Sequence, residues 1–197
     1  IAWWTTDIGG FHSGDVRDPK FRELLVRWFE WGTFCPVMRL HGARSPHIDH
    51  VNSRGEAILD EGAANEVWSY GSELEDIFVR YIHIREKMRP YVRELMKEAH
   101  EKGTPVIRAM FYEFPDDSVC WDLKDQYMFG GDVLTAPIVH EAAYERQVYL
   151  PKGASWTLIY DGTVYEGGRT VTVSADIGQI PVFLREGRHP EWIGCIR

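Results

Sequence analysis

Residues 1–42 constrain the fold more than any other stretch, because they spell a strand, a helix and a second strand in direct succession. Apolar and β-prone residues run without alternation through Trp3-Trp4-Thr5-Thr6-Asp7-Ile8, the pattern of a strand buried on both faces. Asp18-Pro19 then opens a helix, with Asp18 as N-cap and Pro19 at the first helical position, where its missing N–H costs nothing. Phe21, Leu24, Leu25, Trp28 and Phe29 form one apolar stripe, and Gly32 closes the helix. Pro36-Val37-Met38-Arg39-Leu40 is a second short strand. Strand, helix and strand of this size make a βαβ unit with a right-handed crossover.

The polar residues of this unit fall at one end. Asp7 lies at the carboxyl end of the first strand, Arg39 and His41 at that of the second. Parallel sheets and (β/α)8 barrels bind ligands along that edge, so these side chains are expected to point toward one site. Gly9-Gly10 turns the chain sharply and leaves Phe11 free to lie against a ligand. Spacing alone fits a second reading equally well: a buried Asp7–Arg39 ion pair and a His41 satisfied within the core.

The ordered motifs carry a resemblance. Trp4-Thr5-Thr6-Asp7-Ile8-Gly9-Gly10-Phe11 and Arg39-Leu40-His41-Gly42 resemble the seventh and eighth barrel strands of glycoside hydrolase family 31, the retaining α-glucosidases and α-xylosidases. Asn65-Glu66-Val67-Trp68-Ser69-Tyr70-Gly71, Phe114-Pro115-Asp116-Asp117, Asp125-Gln126-Tyr127-Met128-Phe129-Gly130 and Ile180-Pro181-Val182-Phe183-Leu184-Arg185 follow in the family's order. The resemblance implies that His41 hydrogen-bonds hydroxyls of the sugar beside the scissile bond and that Phe11 lines the same subsite. It implies that Asp7 and Arg39, a buried pair, support the pocket together with Trp4. The family's nucleophile and acid/base motifs do not occur here, so the resemblance implies no catalytic residue in this chain. Both carboxylates are expected upstream, in a part of the parent chain N-terminal to this one. The substrate implied is an oligosaccharide or glycoside, and the chain alone is expected to be inactive or nearly so.

A closed (β/α)8 barrel takes about 250 residues, more than the 197 available. The expected architecture is therefore α/β followed by all-β: the last two βα units of a (β/α)8 barrel over residues 1–103, then a proximal antiparallel β-sandwich domain over 104–197, truncated at its end. Two barrel strands alone leave open sheet edges, which predicts covering by the rest of a barrel or by self-association into a homo-oligomer. A net charge of −8 without a basic cluster argues against nucleic acid as a partner. No apolar run nears the length of a membrane span, and no signal pattern is present. Three cysteines, Cys35, Cys120 and Cys195, lack metal-ligand spacing and suit a reducing cytoplasm. No cofactor is expected.

Residues 43–64 read as a polar loop on the rim of the site, a candidate for touching outer sugar units. His47, Asp49 and His50 within it invite a metal reading, but polar loops are rich in such residues and no further ligands are visible. Ser72 and Glu75 make a capping box ahead of a long helix. Its stripe runs from Leu74 to Ala99, Pro90 kinks or breaks it, and Gly103 ends it. Strand-like runs follow at 105–111, 133–138, 145–150, 155–160, 169–173 and 180–184, with a short helix at 121–128 and a two-residue hairpin turn at Asp161-Gly162. A rival function is a non-catalytic carbohydrate-binding module, for which Trp156, Tyr160 and Tyr165 would form the exposed aromatic row. Asp7 with Asp15 is a further candidate carboxylate pair, disfavoured because Asp15 sits in a glycine-rich loop.

Overall fold

The computed structural model describes residues 2–12 and 14–196, without the side chains of 48–50 and 57–61. Ile1, the first residue of the opening run, and the side chains of Asp49 and His50, two of the metal candidates, lie outside the described residues. The opening run and residues 37–40 are extended and parallel, joined by isolated bridges Thr5 to Val37 and Ile8 to Leu40. The run is not buried on both faces: Trp3 and Trp4 are exposed, and of residues 3–8 Ile8 alone is fully buried. Between them lies helix α1 (Pro19–Thr33). Asp18 caps it, its side chain accepting from the Lys20 amide at 2.9 Å, so the proline-led start forms as the sequence predicts.

The buried face of α1 is Phe21, Leu25, Val26 and Phe29, whereas Leu24 is half exposed and Trp28 only partly buried. Gly32 does not end the helix, which continues to Thr33. A Cβ at Gly32 would sit 2.6 Å from Ile8 Cδ1, so the missing side chain lets helix and strand approach. Phe34 is the C-cap, and the Arg85 guanidinium reaches across to accept the burden of the open helix end, donating to the carbonyls of Thr33, Cys35 and Pro36 at 2.8, 2.7 and 2.7 Å.

Residues 43–64 are not a loop but a hairpin, β1 (Arg44–Val51) paired antiparallel with β2 (Ala57–Ala63). The turn signal lies at Asn52, whose side-chain oxygen accepts from the amides of Arg54 and Glu56 at 2.9 and 3.0 Å, with Gly55 in the left-handed region. Helices α2 (Ser72–Lys87) and α3 (Arg89–Lys102) follow, separated at Met88, where Pro90 breaks the long helix. Leu74, Phe78, Tyr81, Ile84, Met88, Tyr91, Leu95 and Ala99 are the buried stripe. The capping box is absent: Gly71 is the N-cap and no side chain caps the helix. A 3-10 turn over Val67–Tyr70 occupies the approach and fixes that geometry.

After Gly103 come β3 (Ile107–Arg108), the single-turn α4 (Met110–Glu113), β4 (Tyr127–Phe129), β5 (Val133–Thr135), β6 (Glu145–Leu150), β7 (Ser155–Leu158), β8 (Val164–Glu166), β9 (Arg169–Ser174) and β10 (Val182–Arg185). A six-stranded antiparallel sheet of order β3-β4-β5-β10-β7-β8 faces the two-stranded β6-β9 ribbon. Strand alternation divides the large sheet cleanly. Phe129, Val133, Val182 and Leu184 pack with the helices, while Met128, Leu134 and Phe183 pack with Val148, Leu150 and Val173 of the ribbon. Both faces are thus buried, which explains strands without polar alternation. The predicted helix at 121–128 is instead a 3-10 turn at Ser118–Trp121, capped by Asp117, followed by strand β4. The 105–111 run is a strand for two residues only before α4 begins. At Asp161-Gly162 the connection is longer than two residues: the Leu158 amide donates to the Thr163 carbonyl at 2.8 Å and the Gly162 amide to the Leu158 carbonyl at 3.0 Å, closing a wider turn.

Candidate functional site

The parallel pairing sets the site. The Ile8 amide donates to the Arg39 carbonyl at 3.1 Å, and the Val37 amide to that of Trp4 at 3.1 Å. Asp7 and Arg39 therefore emerge side by side, and their side chains form an ion pair. That pair is not buried: the Arg39 side chain is 48% exposed and that of Asp7 20%. The strand ends lie at the edge of the sheet, where water reaches them.

Past Asp7 the chain turns back, the Gly10 amide donating to the Asp7 carbonyl at 2.7 Å, with Gly9 and Gly10 at φ +84° and +85°. The turn delivers Phe11, 52% exposed, beside an exposed His41, with ring centroids 5.4 Å apart and planes tilted by 38°. His41 is therefore not a core histidine. Both rings line one cavity of about 400 Å³, whose wall continues through His12, Ala63, Asn65 and Glu66. The hairpin's second strand forms part of that wall, so it does rim the cleft.

Three residues without an assigned role in the sequence reading organise the floor. Asn65 donates to the Gly42 carbonyl at 2.9 Å and accepts from the Tyr70 hydroxyl at 2.6 Å. Arg44, fully buried, donates to carbonyls of both site loops. No local pattern marks Arg44, because its partners are backbone oxygens and those of the first loop, Ile8 and Gly10, lie more than thirty residues away. Asn65 and Tyr70 lie inside a quoted motif, which is the one signal that pointed to them.

Trp4 stands apart from this cleft. It packs against Trp31 at 5.5 Å and lines a different cavity, of about 750 Å³, with Leu24, Trp28, Trp31, Tyr127 and Ile138. Trp28 donates to the Thr6 hydroxyl at 2.9 Å, tying this aromatic wall to the opening strand.

Among the described residues, Asp15, Glu66 and Asp7 near the cleft are each engaged. Asp15 accepts from Arg17 through both oxygens at 3.0 and 2.8 Å, and that guanidinium lowers its pKa to about 2. Glu66 accepts from the Ser69 hydroxyl at 2.8 Å, which lowers its pKa as well. Asp7 is held by Arg39. Asp15 and Glu66, with lowered pKa values, stay ionised and do not suit the role of a general acid, which needs a raised pKa. Among the described residues no group of three or more His, Cys, Asp or Glu is arranged to hold a metal ion. The aromatic row of a carbohydrate-binding module is not formed either, since Trp156 is fully buried between the sheets.

Comparison with known proteins gives a consistent picture. The model of the glycosyl hydrolases family 31 TIM-barrel domain matches residues 1–95, and that of the family 31 C-terminal domain matches residues 103–188. The curated alpha-xylosidase of Saccharolobus solfataricus is 34% identical over 95% of this chain, and alpha-glucosidase 2 of Bacillus thermoamyloliquefaciens is 35% identical over 95%. The chain spans 23% and 21% of the length of those two relatives. Among solved structures, a GH31 alpha-xylosidase from a soil metagenome, complexed with xylose, shares 46% identity at a TM-score of 0.92, over 98% of this chain and 29% of that one. A xylosidase from Aspergillus niger shares 32% identity at a TM-score of 0.84, again over 98% and 29%. Two adjoining domain matches that follow the partial barrel and the β-sandwich in order make this chain a member of glycosyl hydrolase family 31.

Proposed function

We propose that the protein containing this chain hydrolyses α-glycosides with retention, α-xylosides before α-glucosides, and that this chain supplies part of the subsite holding the sugar beside the scissile bond. The observation that carries the reading is the pair of exposed rings, Phe11 and His41, 5.4 Å apart over one open cavity at the carboxyl edge of the parallel strands. Phe11 offers an apolar face to a pyranose ring, and His41 offers ring nitrogens to its hydroxyls. Asp7 and Arg39 hold the strand ends in place. Retaining hydrolysis needs two carboxyl groups about 5–5.5 Å apart, and the engaged carboxylates of this cleft support placing that pair elsewhere in the parent chain.

The xyloside preference rests on the likeness to the alpha-xylosidases. The aromatic cavity around Trp4 and the open edge of the first strand are, in this reading, covered by other barrel segments rather than by a second copy. The free thiols Cys35, Cys120 and Cys195 favour a reducing, cytoplasmic setting. The test is kinetic, on the full-length protein with aryl α-xyloside and aryl α-glucoside. The xyloside is expected to have the higher kcat/KM. Loss of a hydrogen bond of about 1.5–3 kcal/mol predicts that His41→Ala lowers that value by roughly ten- to a hundredfold. Unchanged kinetics would remove His41 from the subsite.

A further inference from the structure

Arg44 begins strand β1 and is fully buried, yet its guanidinium serves two loops that meet only in the folded chain. Nη2 donates to the Ile8 carbonyl at 2.8 Å and to that of His41 at 3.2 Å. Nη1 donates to the Gly10 carbonyl at 2.8 Å and to that of Ala43 at 3.2 Å. Ile8 and Gly10 frame the turn into Phe11, while His41 and Ala43 flank Gly42 on the facing loop. The Ala43 amide adds a direct link, donating to the Phe11 carbonyl at 3.0 Å.

Gly9 keeps room for this arrangement. A Cβ there would sit 2.6 Å from Arg44 Nη2. The guanidinium also lies 5.5 Å from the centre of the Phe21 ring, and it donates to the Tyr70 hydroxyl oxygen. A planar fork that aims several N–H groups in fixed directions can bridge two loops at once, which a lysine ammonium on a flexible stem cannot do with the same geometry. Charge-assisted hydrogen bonds to carbonyls are also stronger than neutral ones.

We propose that Arg44 is the positioning residue of the sugar subsite: by bridging the carbonyls of the two loops, it fixes Phe11 and His41 relative to each other. The inference rests on the reading of the cleft given above. It matters for catalysis because a misplacement of about 1 Å in a binding group can cost on the order of 10²-fold in rate.

The experiment uses the full-length protein carrying Arg44→Lys, His41→Ala, or both. In the crystal structure of the folded Arg44→Lys protein, the Phe11 and His41 ring centroids are expected to leave their 5.4 Å separation. Its kcat/KM for an aryl α-xyloside is expected to fall at least about tenfold. Arg44→Lys should have a smaller effect in the His41→Ala background than in the parent protein, because only the placement of Phe11 is then left to lose. Rings still 5.4 Å apart, or losses that simply multiply in the double variant, overturn the proposal. Displaced rings with a kinetically silent His41→Ala support the positioning role and sink the sugar-subsite reading instead. Should Arg44→Lys fail to fold, Arg44→Gln, which keeps an N–H donor but cannot reach the carbonyls of both loops at once, is judged by the same two measurements.

Discussion

Gly42 shows how little space separates the two site loops. Its φ is +117°, and a Cβ would lie 2.4 Å from the Gly10 carbonyl oxygen and 2.7 Å from that of Phe11. Both obstacles are backbone, so they cannot swing aside as a side-chain tip could. Gly42→Ala is expected to destabilise the protein by about 2 kcal/mol or more, from backbone strain and overlap together. It should also reduce kcat/KM, because the loops carrying Phe11 and His41 must separate. Gly55 is the internal control: φ is +76°, but nothing lies within 4 Å of its Cβ, so Gly55→Ala should cost only the left-handed penalty of about 1 kcal/mol. Chemical denaturation of both variants measures the difference; equal losses would mean that close approach of the loops contributes nothing.

At the scale of elements, helix ends decide more than helix interiors. α3 stops at Gly103, in the left-handed region at φ +71°, with its amide donating to the Ala99 carbonyl at 3.0 Å. Nothing lies within 4 Å of a Cβ at that position, so Gly103→Ala probes the cap conformation alone. The expected loss is about 1 kcal/mol, with Gly103→Asn losing less, read from unfolding midpoints. This cap, the Asp18 N-cap and the break at Pro90 are legible in the sequence because each depends on residues within one helical turn. Bounds of the β6 strand, 145–150, are equally local, framed by a turn at Pro151-Lys152-Gly153. The β1–β2 hairpin is not legible as strands because its polar composition lacks the apolar alternation that strands on a core display. Its signal was the Asn52 turn, which only its hydrogen bonds make evident.

Across the whole molecule, helices and β-sandwich are locked through a buried polar cluster. Arg27 of α1 donates to the carbonyls of Ala143, Ala175, Asp176 and Gln179 at 3.1, 2.8, 3.1 and 2.9 Å. Glu30 accepts from Arg27 at 3.3 Å and from the Gly178 amide at 2.8 Å, while Arg80 and Tyr81 of α2 hold the Gly178 carbonyl at 2.8 and 3.0 Å. Burial pushes the Glu30 carboxyl from an ordinary 4.5 up to about 8, against the pull of Arg27 and, more weakly, Arg80; the Tyr81 and Tyr160 hydroxyls share its surroundings. The native state therefore holds this proton more tightly than the unfolded chain does. Its stabilising effect is complete below pH 4.5 and is lost as pH rises through about 8. The melting temperature is expected to decline over that range. Glu30→Gln, which keeps an acceptor for Gly178 but cannot titrate, should flatten the decline; parallel pH profiles for the two proteins would refute the assignment.

By itself the sequence determined much of the order of elements, though not the β1–β2 hairpin: extended run, helix and extended run, the broken helix pair with its buried stripe, and the antiparallel strands after Gly103. Caps, breakers and hydrophobic period act between residues a few positions apart, and the ordered motifs pointed to the family. Only the tertiary structure decided that Asp7 and Arg39 pair in partial contact with water, that Trp4 faces a cavity other than that of Phe11 and His41, and that Gly32 is small because Ile8 lies against it. Only it revealed Arg44 as the tie between the two loops. A buried cation satisfied by backbone carbonyls leaves no pattern in side-chain spacing. Its partners exist as a set only after strands distant in sequence have come together.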